Sequence, residues 1–575
     1  MLIDVWPKRA QFRPDETVRL AVSVSGARPG ALTVIGRVFT GGERAGQFEC
    51  PLTVVEDGGG QGEVILDGLG SIPPPGASVG YAVEVTVKGT EARATSAFDI
   101  APHWSAAPRY GFACDFSPEE QAEESERRAD DLLRLHVNVV QFYDWMASHH
   151  TFLAPQAEFT DPLGRHLSHA VVRRKVDLAH DRGMAALGYG ALYGAEEDFS
   201  REHPDWLLYD GAKRPLALAG TFYLQDFARG SGWREWILAQ YRRALVEVGF
   251  DGIHIDQYGF PKQALARSSG SWREVDLGAE FPGFVEEAAS ALQELRPEGG
   301  SLFNCVNAWP LEAMAGVTAD AATYIEVWDP HSTYRDLYEL VRRARTLRPD
   351  RQVILAAYLR PFHPTDGRGR GALNTFRLAS ATINASGGFH LIAGEGRGVL
   401  SEAYYPNYGH LEEGDYREVR RHFDFIVRNT ALLHATPVPD IAWTHVGPTN
   451  EAILLSHPDL VRYGAGAQSD SLWVVGRETG QVVSLQLVNL RGLRSEEWNL
   501  DHPEAPRPLE NVEVRARVAG CVDGVWWDTP DDAVGLARPL PFEIVQGEGG
   551  PFLVFRVPRV AYWSTVWWRR AESPR

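Results

Sequence analysis

The sequence predicts a multidomain protein: a central (β/α)8 TIM barrel flanked by an N-terminal immunoglobulin-like β-sandwich and a C-terminal β-sandwich. Three observations carry this expectation. The first hundred residues alternate apolar and polar positions between Gly- and Pro-rich turns. From Tyr110 short apolar runs alternate with helical stretches. After about Pro437 strand-like patterns return. The expected domains are 1–102, 103–436 and 437–575, and a chain of 575 residues is long enough for all three.

In the first region TVRLAVSVSG, ALTVIGRVFT, GEVILDG and YAVEVTVKG read as half-buried strands, separated by EDGGGQGE and SIPPPGAS. In the second, eight buried strands are read: YGFACDF, VNVVQFYDW, MAALGYGALYG, DGIHIDQYG, LFNCVNAW, ATYIEVW, VILAAYLR and GFHLIAGE. After the first strand, Ser117-Pro118-Glu119-Glu120 has the form of a capping box with Pro at the first helical position, opening a helix to about His136. SWREVDLGAEFPGFVEEAASALQEL and STYRDLYELVRRARTL read as helices after the fourth and sixth strands. A doubly wound sheet is the competing arrangement, but no Gly-rich phosphate loop follows the first strand. In the third region VVSLQLVNL, NVEVRARVAG and FLVFRVPRVAYWSTVWW are strand-like.

Composition narrows the function. A formal net charge of -19 disfavours nucleic acid and anionic membrane surfaces as partners, whereas neutral polymers meet no such penalty. The 17 tryptophans and 19 tyrosines suit large cores or platforms for sugar rings. The four cysteines, Cys50, Cys114, Cys305 and Cys521, are scattered, which argues against a disulfide framework or zinc site. The start MLIDVWPKRAQF has no basic segment followed by an apolar core. A cytoplasmic location is expected, or a secreted one if a leader has been removed.

Two acids stand out. Asp256 ends GIHID and Glu326 ends TYIE; each lies where an apolar run gives way to an aromatic loop, the catalytic rim of a parallel barrel. Paired carboxylates across such a rim can cleave a glycosidic bond, although either acid could instead be a structural rim carboxylate. Alternation puts His254 beneath Asp256 and Trp328 on the side of Glu326. Asp251, at the other end of its strand, is expected to be structural. Further substrate-binding candidates are Asp144, Trp145, His149, His150, Tyr193, Tyr258, Asn307, Tyr358 and Glu395, with Trp309 and Arg360 nearby. They offer donors, acceptors and flat faces for sugar hydroxyls and rings. Adjacent histidines on a strand point to opposite faces, so His149-His150 is not expected to bind metal. No cofactor is expected.

GFDGIHIDQYG followed by YIEVW resembles the two catalytic segments of glycoside hydrolase family 66, which contains endo-dextranases and cycloisomaltooligosaccharide glucanotransferases. QFYDWMASHH, YYPNYGH, LQLVNL and QFRPDETVRL extend the resemblance over nearly the whole chain. The resemblance implies that Asp256 is the nucleophile and Glu326 the general acid/base of retaining cleavage of α-1,6-glucosidic bonds in dextran or isomaltooligosaccharides. Glu326 should then start protonated, with Trp328 helping to raise its pKa, while Asp256 stays ionised. Cyclising members of the family typically carry a carbohydrate-binding module within the barrel. The loop after the third strand is too short for one, which favours hydrolysis and a shorter substrate. The alternatives are cyclising transglycosylation, a non-catalytic glucan-binding barrel, or a related barrel acting on another α-glycoside.

Overall fold

Runs such as Val139–Phe142 and Val353–Ala356 are buried at every residue, so both faces are covered, as in parallel strands packed under helices. In the computed structural model they belong to one eleven-stranded sheet. The residues described are 1–56, 58–66, 69, 77–268, 270–435 and 439–571. Tyr110–Ala113, Val139–Phe142, Ala185–Ala191, Gly252–Asp256, Leu302–Asn304, Thr323–Glu326, Val353–Ala356 and Phe389–Leu391 pair in parallel in chain order. The last strand resumes at Ala393–Gly394, where Gly394 pairs in parallel with Phe112 of the first. The sheet therefore curls until its ends meet. Each strand expected in this region coincides with one of these segments.

Helices follow most of the strands. Thr333 caps Tyr334–Leu347 in a reciprocal capping box with Asp336. The box expected at Ser117–Glu120 is not formed; the helix begins at Ala122. Glu120 turns inward to Lys175 (2.9 Å) and Ser125 (2.6 Å), so it does not reach back to Ser117. SWREVD is likewise a strand, Ser271–Asp276, paired with Gln263–Ser268. The helix starts at Leu277, where the Asp276 side chain accepts from the amide of Ala279.

Before this sheet, the chain forms an antiparallel three-stranded sheet and an antiparallel four-stranded sheet around a separate core that includes Val22, Val34, Tyr81 and Phe98. After it come four- and six-stranded sheets around a third core that includes Leu485, Val514 and Phe555. The run FLVFRVPRVAYWSTVWW breaks into Gly550–Val560 and Trp563–Arg570, in different sheets. The protein is thus multidomain and sheet-rich. Most of the SIPPPGAS turn and the expected junction at 436/437 lie outside the described residues.

Buried ion pairs join these parts. Asp99 accepts from Arg109 (2.8 Å) and Gln11 (2.7 Å). The helix Glu413–Arg428 contacts both flanking regions. Arg420 and Asp424 meet Asp4 (3.0 Å) and Ser96 (3.2 Å) on one side, and Arg428 makes a two-pronged pair with Asp528 (2.7 and 2.9 Å) on the other. Asn429 also donates to Asp528 at 2.7 Å. Among the described residues no helix is long and apolar enough to cross a membrane.

Candidate active site

The C-terminal ends of the curled strands surround a cavity of about 530 Å³. Asp256 and Glu326 both line it, at the last residues of their strands. Between those strands lies Leu302–Asn304, and its terminal Asn304 holds the two acids together. The Asn304 Nδ2 donates to Asp256 Oδ1 at 2.7 Å and to Glu326 Oε2 at 3.0 Å. Those two oxygens are therefore no farther apart than the two bonds laid end to end, about 5.7 Å. The remaining oxygens accept from tyrosines: Asp256 Oδ2 from Tyr189 (2.9 Å) and Glu326 Oε1 from Tyr358 (2.8 Å). Asn304 Oδ1 is buried and has no hydrogen-bond partner. Gln257 Nε2 donates to the backbone carbonyl of Asn304 at 3.1 Å and so holds the main chain that carries the amide.

Burial raises both carboxyl groups. Asp256 is pushed up to about 7, first by burial and then by the charge of Glu326, against the hydrogen bonds of Asn304 and Tyr189. Burial also raises Glu326, while Asn304, Tyr358 and Trp328 act as hydrogen-bond donors that lower it. This corrects the role expected of Trp328. Its ring is 43% exposed, and it favours the charged form of Glu326 rather than opposing it. This also corrects the expectation that Asp256 simply stays ionised: burial and the charge of Glu326 raise it, and the two acids titrate together.

Alternation along the strands accounts for much of the lining. His254 lies beneath Asp256, with Nδ1 2.9 Å from the Tyr110 hydroxyl; burial drops its pKa to about 3 and keeps the ring neutral. Tyr258, Trp328, Tyr358 and His149 also line the cavity. His149 stacks on Phe222 with centroids 4.2 Å apart. Burial would lower its pKa, but the hydrogen bond and charge of Asp144 outweigh burial and raise it. Asp144 reaches the cavity because its φ of +45° breaks the strand alternation.

The same turn sends Trp145 the other way. It is fully buried behind the sheet, against Phe250, with its indole donating to the Tyr189 carbonyl. Trp145 is therefore not a cavity residue. Nor are four others. His150 pairs with Glu196 and stacks on Phe199. Tyr193 donates to the carbonyl of Phe260 and accepts from the amide of Tyr258, so it shapes the loop rather than the cavity wall. Asn307 donates to the carbonyl of Asp329 and holds the loop that bears Trp328. Glu395 is buried, receiving the amides of Cys114 and Asp115 and the ammonium of Lys175 (2.5 Å). Trp309 and Arg360 also lie off the cavity, the first under Lys262 and the second paired with Asp366. Asp251 sits at the other end of its strand, accepting from Ala186 N and bonded to His180, as expected of a structural acid.

Sequence reasoning missed Asn304, Tyr189, Gln141, Tyr143, Tyr324, Tyr404 and Tyr405, all of which line the cavity. A signal for Asn304 was present: it ends the strand that lies between the two strands ending in Asp256 and Glu326. Cys114, Asp115 and Glu395 lie close enough together to hold a cation, but Lys175 already neutralises Glu395 and Arg128 neutralises Asp115.

Paired acids at the open end of a curled parallel sheet are an arrangement that can cleave a glycosidic bond, and comparison with known proteins gives the family. The profile of Glycosyl hydrolase family 66 matches residues 68–567. The chain belongs to this family. Two cycloisomaltooligosaccharide glucanotransferases of Niallia circulans are 23% and 21% identical to it, each over 86% of the chain. The chain spans only 65% and 64% of their lengths. The crystal structure of a Paenibacillus sp. cycloisomaltooligosaccharide glucanotransferase, complexed with cycloisomaltoheptaose, has a TM-score of 0.88 at 19% identity and covers 98% of this chain and 100% of its own. An α-L-fucosidase isoenzyme 2 from Paenibacillus thiaminolyticus shares the fold more distantly, with a TM-score of 0.54 at 11% identity, covering 81% of this chain and 100% of its own.

Proposed function

We propose that the protein is a retaining glycoside hydrolase that cleaves internal α-1,6-glucosidic bonds of dextran or isomaltooligosaccharides. The curled sheet is read as a (β/α)8 barrel spanning 103–436, with β-sandwiches at 1–102 and 437–575. The observation that carries the mechanism is the shared amide of Asn304. It keeps the facing oxygens of Asp256 and Glu326 within about 5.7 Å. Retaining enzymes hold their carboxyls about 5–5.5 Å apart, and inverting enzymes about 6.5–9.5 Å, leaving room for a water.

In this reading Glu326 donates the pair's proton to the leaving glycosidic oxygen while Asp256 attacks the anomeric carbon. The C–O bond to the leaving sugar breaks and an ester to Asp256 forms. Glu326, now ionised, takes a proton from water, whose oxygen attacks the same carbon and releases Asp256. Tyr189 and Asn304 orient the nucleophile. Trp328, 43% exposed, gives the cavity a flat face for a glucosyl ring, and Tyr143, stacked on Tyr405 at 4.2 Å, and Phe222 add aromatic wall.

A second reading is intramolecular transfer to give a cyclic isomaltooligosaccharide. The names of the Niallia relatives favour it. In that case the acceptor role of water is taken by a hydroxyl of the bound chain. Incubation with dextran, with products sized and compared with cyclic standards, separates the two. Shortened reducing products that keep the α configuration in the first NMR spectra are expected. Products of inverted configuration, or no cleavage between pH 4 and 8, would sink the proposal.

A further inference from the structure

All 17 tryptophans fall within the described residues, and three of them are exposed: Trp272, Trp328 and Trp443. Trp328 stands at the cavity just described. Trp443, the most exposed at 48%, stands at a second cavity of about 440 Å³, lined also by Tyr338, Arg342, Arg345, Thr346, Ser386, Asp440 and Arg477. Ser386 ends a helix just before the eighth parallel strand, and Pro349, also in the lining, stands just before the seventh. The second cavity therefore lies at the N-terminal ends of the strands, away from Asp256 and Glu326.

Its indole is held in place. Trp443 Nε1 donates to the Tyr338 hydroxyl at 2.8 Å, and that hydroxyl donates to Asp440 Oδ2 at 3.0 Å. Asp440 is itself anchored by the amides of Ala442 (2.9 Å) and Gly476 (2.8 Å). A large apolar ring fixed by hydrogen bonds yet left half in water loses little freedom when something flat packs on it. The arginines do not make this an anion site. Arg345 donates to the carbonyl of Gly387 at 2.6 Å and Arg477 to that of Ala385 at 2.6 Å. These carbonyls close the negative end of the helix Ala372–Ser386, and Asp440 lies close enough to Arg477 to offset part of the cost of burying its charge. Arg477 Nη1 has no hydrogen-bond partner. What remains is a flat apolar face beside a polar wall of mixed charge, which matches a neutral polyhydroxylated ring.

We infer that this cavity is a second, non-catalytic glucan-binding site in which Trp443 stacks on a glucosyl ring of the polymer. The inference rests on the α-glucan reading of the catalytic cavity. A polymer held there raises the local concentration of its other segments at the catalytic mouth. Oligosaccharides too short to occupy both cavities gain nothing.

The test compares Trp443→Ala and Trp443→Phe with the unaltered protein, on dextran and on isomaltotetraose. Trp443→Ala is expected to raise KM for dextran about three- to tenfold, the worth of one ring contact, with kcat and isomaltotetraose kinetics unchanged. Trp443→Phe should recover part of the loss. In the Asp256→Asn background, where chain cleavage is blocked, Trp443→Ala should weaken retardation in dextran-containing gels by a similar factor. Normal isomaltotetraose cleavage with dextran KM and retardation unmoved by Trp443→Ala overturns the second site alone. Absence of both cleavage and retardation in the unaltered protein overturns it together with the glucan reading.

Discussion

Removing the Asn304 side-chain amide should move the pH–rate profile, not only lower it. The active form of the pair carries one proton, so the acid limb reports the first ionisation and the alkaline limb the second. Asn304 donates one hydrogen to each carboxylate and so stabilises the charged form of both. It lowers both steps against the burial that raises them. A hydrogen bond to a charged group contributes about 1.5–3 kcal/mol, and about 1.4 kcal/mol corresponds to one pKa unit. In Asn304→Ala both limbs should therefore shift to higher pH by about one to two units. Activity at the original optimum should fall because the nucleophile is then largely protonated. The assay is kcat/KM on an isomaltooligosaccharide from pH 4 to 9, with Asn304→Gln as a variant that keeps the amide. A profile that drops in height with both limbs in place would refute the clamp and leave Asn304 a packing residue.

Three further outcomes are expected. Asp256→Asn should reduce kcat roughly ten-thousandfold while leaving glucan binding measurable by retardation. The same change should stabilise the fold, and more so at higher pH. The folded pKa of Asp256, about 7, is raised above the unfolded value, so the acid's contribution is complete below the unfolded pKa and is lost as pH rises through 7; thermal melts at pH 4 and pH 8 should differ by about 1–3 kcal/mol in the benefit. Tyr358→Phe removes a 2.8 Å donor to Glu326, so kcat should fall about tenfold and the alkaline limb should rise; a limb that stays in place argues against Glu326 as the acid. Asp528→Ala strands Arg428 inside the protein and should cost about 3–5 kcal/mol, read as a lower melting temperature; an unchanged melt would mean the pair adds nothing.

The strand ends were legible in the sequence because a buried parallel strand is a short apolar run with a polar stop. Asp256 and Glu326 stand at two such stops. Alternation then put His254 beneath Asp256 and Trp328 on the side of Glu326, and both line the cavity. It failed where the backbone left the strand. The left-handed turn at Asp144 carried that acid inward and Trp145 outward; Asp adopts such a turn more readily than most residues, but the alternating pattern around it does not mark where the turn falls. Tyr193 shares the parity of Tyr189 but lies beyond the end of its strand at Ala191, where alternation no longer applies. Asn304 was passed over in favour of Asn307 because a neutral amide carries no chemistry until two acids flank it. The lost capping box at Ser117 has the same origin: Glu120 has a distant partner, Lys175, that local sequence does not reveal.

The helix Glu413–Arg428 binds the first and last regions of the chain to one axle. Cutting away either end to obtain a minimal catalytic fragment would leave Arg420 or Arg428 without its counter-charge on a newly wetted surface. Shortened versions should therefore misfold or clump instead of yielding a smaller working enzyme, and the unaltered chain should melt in one step despite its three cores.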